Sequence, residues 1–481
     1  MAVPMGETPA GVVEARTPEQ KLHVSVYLIG VTLFGLKFFI PSERTSAFLV
    51  WTACCLALSI YIVCALLVRR LFIFGALSMC LTYGVGIVWI SNFVIGIPMS
   101  SWRLGWESKP AFPEALGTSI QYLTFFNILA AVAISFLPVA RIGRFESLGY
   151  SYRGPVLFLM GCCALVLLTT AGKQARDSYA MGADVGSMFL VQASSIMLAS
   201  LYAFTLFYVS PGVFRRALLL TLAGVAVVVG MNGFRFLLII FAFISLCYLL
   251  STRRLPLKWT LGLTVAAATA YLLLLILAYT RAKGLTFTDA LAFIIDPDLD
   301  AAMRYVGASD QTNIIAQDYY SNRSELRLDG RTYLDAFLRL VPNVVHSSYF
   351  DTIRSQDYIV QTGAFVPDAF RQSKLNIGSH LFVEAIINFG KNGPYFVLTA
   401  YAFVIALLEK FARSSRQFFL GYIVTASMAY SLAWYGFTNS LKQGVYAFIC
   451  GAIIIMAGTF ADRGRNQKRY PKRSAEHLSP L

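Results

Sequence analysis

Residues 47–68 read AFLVWTACCLALSIYIVCALLV, twenty-two positions without a single charge. A helix of that length rises roughly 33 Å, enough to cross a hydrocarbon core about 30 Å thick. Eleven further apolar runs fall at about 23–40, 71–97, 117–139, 154–172, 187–208, 213–231, 234–251, 259–280, 392–409, 417–436 and 442–460. The stretch 213–251 also reads as one broken segment. With 57% hydrophobic residues and a mean hydropathy of +0.63, a chain of 481 residues is too apolar for a soluble domain. The expected fold is therefore all-α: a polytopic membrane protein with about twelve transmembrane helices.

One region breaks this pattern. Residues 281–391 hold 13 of the chain's 25 acidic residues. The sequence thus divides into an N-terminal tail (1–22), nine spans (23–280), a large polar loop (281–391), three spans (392–460) and a basic tail (461–481). Basic residues set the orientation. With the N-terminus inside, the inner connections hold Arg69 and Arg70; Arg141, Arg144 and Arg153; Arg215 and Arg216; Arg253, Arg254 and Lys258; Lys410, Arg413 and Arg416; and the tail from Arg463 to Arg473. The short outer connections are poorer, with Arg44, Arg103, Lys109, Lys173 and Arg176. This asymmetry places both termini in the cytoplasm and the loop outside.

The net charge of +15 is spread over span ends and forms no stripe, which argues against nucleic acid as a partner. Residues 1–20 lack the layout of a cleaved signal, so the first span reads as a signal-anchor. The tail beyond Asp462 reads as a disordered anchor to anionic lipid headgroups. All eight cysteines lie in apolar runs and none in the loop, which excludes a disulfide framework there.

Within the loop, Tyr333, Leu334, Phe337, Leu338 and Val341 recur at helical spacing until Pro342. Arg331, Asp335 and Arg339 fall on the other side. This predicts an amphipathic helix along the membrane surface or over a cavity, or a simple lid. Asp296-Pro297-Asp298-Leu299-Asp300 offers oxygen ligands for a divalent ion, or an ordinary turn before a helix.

The candidate binding residues are arginines. Arg235, in Met231-Asn232-Gly233-Phe234-Arg235-Phe236, joins two runs with no length to spare and is held near the membrane boundary. An arginine at the bilayer centre costs about 2.5–3.5 kcal/mol on insertion scales. A fixed anion such as pyrophosphate offsets that cost through charge-assisted hydrogen bonds. Arg281 leaves the ninth span on the same side. Each also fits a side chain reaching lipid phosphates. Arg331, Arg339 and Arg371 are looser candidates for the same role. His380 and Glu384, four residues apart, share one face of a helix entering the tenth span. Either can act as general base on a sugar hydroxyl, and burial would raise the Glu384 pKa. The alternative is a hydrogen-bonded helix start, with Asn376 or Ser379 as cap and Glu384 as a structural partner. No phosphate-binding Gly-rich loop and no His-Glu-x-x-His pattern occurs.

Three stretches resemble the oligosaccharide repeat-unit (O-antigen, or Wzy-type) polymerase family. They are Gly233-Phe234-Arg235, Tyr279-Thr280-Arg281-Ala282-Lys283-Gly284, and the run from Gly378-Ser379 through Glu384 to Asn388-Phe389-Gly390 and Gly393. Gly330-Arg331-Thr332-Tyr333-Leu334, leading to Val341-Pro342, is similar to a fourth element. Family members often follow that proline with Trp-Pro and a basic residue, whereas this chain reads Pro342-Asn343-Val344-Val345-His346-Ser347. The resemblance covers roughly 225–410. It implies a GT-C-like glycosyltransferase of the bacterial inner membrane that polymerises undecaprenyl-pyrophosphate-linked oligosaccharides for polysaccharide or lipopolysaccharide synthesis. It implies no metal and no cofactor. The partners implied are lipid-linked oligosaccharides, membrane lipids, a chain-length regulator and a flippase. An O-antigen-ligase-like enzyme would use the same donor. A flippase or transporter would show paired repeats and mid-membrane charge, and neither is evident in the sequence.

Overall fold

In the computed structural model, the chain is described over residues 18–40, 45–94, 112–137, 152–177, 185–231, 236–252, 327–338, 381–411 and 416–469. Residues 258, 261, 262, 265, 314, 316–318, 320, 321 and 340 are described as well. Among the described residues the protein is all-helical, with no strand. The helices are α1 (Pro18–Leu36), α2 (Ser46–Val68), α3 (Phe72–Trp89, continued by a π-helical turn Ile90–Val94), α4 (Phe112–Phe136), α5 (Arg153–Asp177), α6 (Val185–Tyr208), α7 (Val213–Met231) and α8 (Phe236–Thr252). Then follow α9 (Arg331–Leu338), α10 (Leu381–Phe389), α11 (Gly393–Phe411), α12 (Arg416–Ser427) and α13 (Ala429–Arg469).

Six helical segments are long and apolar enough to cross a membrane: Ser46–Val68, Phe72–Val94, Pro113–Phe136, Val191–Tyr208, Gly393–Phe411 and Ser440–Ala457. The apolar helices Ser25–Leu36, Arg153–Thr169, Leu237–Thr252 and Phe418–Ser427 are shorter. The run 259–280 lies outside the described residues apart from Leu261, Gly262 and Val265.

α13 is two helices joined at Gly436, whose backbone (φ 74°, ψ −171°) lies in the left-handed half of conformational space. The chain reverses there. Gly421 lies against the Cα of Phe448, Gly451 against the backbone of Gly421, and Gly444 against Thr425, which is the pairing of an antiparallel hairpin. Small residues let the two backbones approach closely where lipid supplies no hydrophobic drive. This hairpin packs on α3 on one side and on α6 and α8 on the other. It thus links α1–α4 with α11 to the group α5–α8. Beyond Ala457 the helix continues to Arg469, where the sequence suggested a disordered tail. No proline interrupts it before Pro471.

Polar contacts fasten the bundle. Asn127 of α4 accepts from Ser78 of α3 (2.7 Å) and donates to Ser59 of α2 (2.6 Å). At one end, three arginines satisfy the last carbonyls of helices. Arg69 donates to Ile134 (3.2 Å), Arg70 to Leu250 (3.1 Å) and Arg215 to Leu206 (3.1 Å). A cation at a helix C-terminus also meets the favourable end of its dipole.

Candidate functional site

The site grows from α10, the helix carrying Glu384. The helix ends at Gly390, whose N–H donates to Ile386 O (2.7 Å) with φ 73°, a left-handed cap. The chain then turns directly into α11, because a Cβ at Gly393 would overlap the Ala385 carbonyl. The glycines of the Asn388-Phe389-Gly390-Lys391-Asn392-Gly393 run therefore set the angle between α10 and α11.

Glu384 is 3% exposed. Its Oε1 accepts from the Thr332 hydroxyl (3.1 Å) and its Oε2 from the Phe437 N–H (2.7 Å). Phe437 directly follows the break at Gly436, so its N–H is one of the unpartnered donors opening the last helix. The carboxylate therefore caps that helix and meets the positive end of its dipole. Asn388, one turn on in α10, donates to Thr332 Oγ1 (2.7 Å) and to the Glu384 carbonyl (2.8 Å), and its Oδ1 accepts from the Thr332 N–H (3.4 Å). The Leu328 N–H donates to Ile387 O (3.0 Å), which lays the approach to α9 along α10.

Aromatic rings close over this hub. Phe437 contacts Tyr333 (5.5 Å), Phe337 (5.8 Å) and Tyr401 (5.7 Å), and Tyr333 stacks on Phe389 at 5.8 Å. The Tyr333 and Tyr401 hydroxyls lie close to one another and to Glu384, yet among the described residues neither makes a hydrogen bond of ordinary geometry. Burial pushes the Glu384 carboxyl up to about 7, against the Phe437 amide and the Thr332 hydroxyl, which favour the charged form. Burial also raises the Tyr333 phenol, and the Glu384 charge raises it further. Beside the hub, a cavity of about 360 Å³ is lined by Arg327, Asp329, Asn388, Phe389 and Phe396.

Of the amphipathic helix expected near 333–341, α9 covers Arg331–Leu338. Thr332 and Ala336 are buried, whereas Leu334 and Phe337 are largely exposed. Thr332 is fixed inward by its hydrogen bonds with Glu384 and Asn388. Of the residues singled out from sequence, Glu384 stands at the centre of the hub, and Arg331 starts α9 as an exposed side chain. Arg235, Arg281, Arg339, Arg371, His380 and the Asp296–Asp300 cluster lie outside the described residues. Thr332, Asn388 and the Gly436 break were not anticipated as a unit. Asn388 was legible as the i+4 partner of Glu384, but Thr332 and Phe437 meet it only through the tertiary fold.

A second carboxylate lies at the far end of α11. Glu409 is 0% exposed; its Oε1 accepts from the Ile73 N–H (2.9 Å) and its Oε2 from the Tyr422 hydroxyl. The Tyr422 oxygen in turn accepts from the Phe72 N–H (3.0 Å). Glu409 and Tyr422 thus cap the start of α3. Among the described residues, no group of three or more His, Cys, Asp or Glu side chains is arranged to hold a metal ion. Comparison with family models, with curated proteins and with solved structures gave no match.

Proposed function

We propose that this chain polymerises undecaprenyl-pyrophosphate-linked oligosaccharide repeat units at the outer face of a bacterial inner membrane. The topology that goes with it has twelve spans, both termini in the cytoplasm and residues 281–391 outside. The observation that carries the reading is the buried Glu384. It belongs to the stretch that resembles the polymerase family, and it sits where the polar segment meets the break between the last two helices.

In the proposed reaction the acceptor sugar hydroxyl attacks the anomeric carbon of the donor glycan. The carbon–oxygen bond to pyrophosphate breaks, and undecaprenyl pyrophosphate leaves with the electron pair. Arg235 and Arg281 bind the pyrophosphate and stabilise its growing charge, with Arg331, Arg339 and Arg371 as secondary contacts. Glu384 or His380 takes the hydroxyl proton. Both Glu384 oxygens are engaged in the structure, so as a base it must first release Thr332. The leaving group is good enough to need charge stabilisation more than an acid, so the scheme assigns no role to a metal or nucleotide.

A second reading, a lipid-linked-oligosaccharide flippase, is favoured by the buried Glu384 and Glu409, since ionisable groups inside a bundle often mark transport paths. The two separate in one experiment. The purified protein is given its lipid-pyrophosphate-linked repeat unit with EDTA present, and the products are resolved as a ladder. A ladder that Arg281→Ala abolishes supports the polymerase. No ladder, together with movement of the lipid-linked glycan across liposomes, overturns it in favour of the flippase.

A further inference from the structure

Glu384 is the only contact through which a single side chain joins α9 of the polar segment to the N-terminus of the last helix, among the hydrogen bonds of the described residues. Ionised, it receives two charge-assisted hydrogen bonds but stands in a nearly dry site. Protonated, it loses part of the cap at Phe437 and is spared the desolvation. We propose that Glu384 is a proton-governed latch, which holds α9 against the break at Gly436 when protonated and releases it when ionised. The latch does not depend on the chemistry proposed above.

The geometry identifies what moves. α9 is eight residues long, and its inward face rests on α10 and α13 through Thr332, Tyr333 and Ala336. Of its other described apolar side chains, Leu334 and Phe337 are largely exposed, and Phe337 meets the bundle at the edge of Phe437. Among the described residues, the groups facing the carboxylate are Thr332 and Tyr333 from α9, Tyr401 from α11, the Phe437 amide from α13, and Asn388 from its own helix; His380, one turn before Glu384, lies outside the described residues. The titratable ones among these described groups are phenols, whose ordinary pKa of about 10 lies above the range at issue. The charged residues at the start of α9, Arg327, Asp329 and Arg331, are exposed.

The direction follows from linkage. Burial is the largest influence on Glu384 and holds its carboxyl at about 7 while α9 is docked, against 4.5 when hydrated. The docked state therefore binds the proton more tightly, so docking is strongest at low pH and weakens as pH rises through about 7. Between pH 5.5 and 8.5 the undocking equilibrium should rise about 30-fold.

Hydrogen exchange on the full-length protein in lipid nanodiscs reads this directly, with rates corrected for intrinsic exchange. Protection of the α9 amides should fall about 30-fold from pH 5.5 to 8.5, while α2 and α3 stay unchanged. Glu384→Gln should show equal α9 protection at both values. Thr332→Val, which removes a donor to the charged form, should move the midpoint to higher pH and covers the case in which Glu384→Gln misfolds. A wild-type change below threefold, a loss of protection shared with α2 and α3, or an unshifted midpoint in Thr332→Val overturns the latch.

Discussion

Glu384 and Glu409 flank the same helix, α11, whose 19 residues span roughly 28 Å. Each buried carboxylate caps the N-terminus of another helix and also accepts from a hydroxyl. Their settings differ. Glu409 accepts from groups of the bundle: the Ile73 N–H at the start of α3, and the hydroxyl of Tyr422 of α12, beside the turn at Arg70. Glu384 joins the bundle to a short helix of the polar segment, at a place where the chain breaks and reverses. One arrangement thus serves two ends. At the arginine-capped end it is a fixed joint, and at the other it holds a part that can leave.

That contrast can be broken experimentally. The largest effect should come from Glu409→Ala, which leaves the Ile73 amide and the Tyr422 hydroxyl without their buried acceptor. A loss of roughly 3–5 kcal/mol is expected, seen as little folded protein on size-exclusion chromatography. A Glu409→Ala variant with wild-type thermal stability would remove the fixed joint from the account. Gly393→Ala should cost about 3 kcal/mol, because its Cβ has no room beside the Ala385 carbonyl and α10 would have to tilt away from α11. Thermal melts would check this, and a neutral result would mean that the α10–α11 angle is not fixed there.

The fold was legible where hydropathy alone decides it. The charge-free run 47–68 is α2, and the separation of the last two runs falls at Gly436. Glu384 could be singled out because it stands four residues after His380, in a stretch that resembles the polymerase family. Glu409 could not. Next to Lys410 at the end of a span, it reads as a charge reaching for headgroups, and only the packing of α11 on α3 and of α3 on α12 shows it buried. Likewise, Arg69, Arg70 and Arg215 read as topology signals, whereas their carbonyl partners lie 65, 180 and 9 residues away in sequence. Long-range hydrogen bonds leave no periodic trace.

Smaller effects sharpen the comparison. Because the Glu384 carboxyl is raised from 4.5 to about 7, its contribution to stability is fully present below 4.5 and is lost as pH rises through 7. The loss is at most about 3 kcal/mol. Melting temperatures should therefore drop between pH 5 and 8 in the wild type and change less in Glu384→Gln. Equal slopes would mean that another group sets the pH dependence. The smallest effect belongs to Arg331→Ala. Its exposed side chain should change stability by less than about 0.5 kcal/mol, so any loss of polymer in that variant would point to substrate contact.

The most direct test of the central claim pairs Glu384→Gln with Glu409→Gln in the ladder assay, with turnover expressed per folded molecule. With Glu384 as the base, the account predicts that Glu384→Gln keeps its fold and loses polymer formation by about 100-fold or more, the usual contribution of a general base. Glu409→Gln should yield less folded protein of near-normal specific activity. Equal specific activity in the two variants, or full activity in Glu384→Gln, would contradict it.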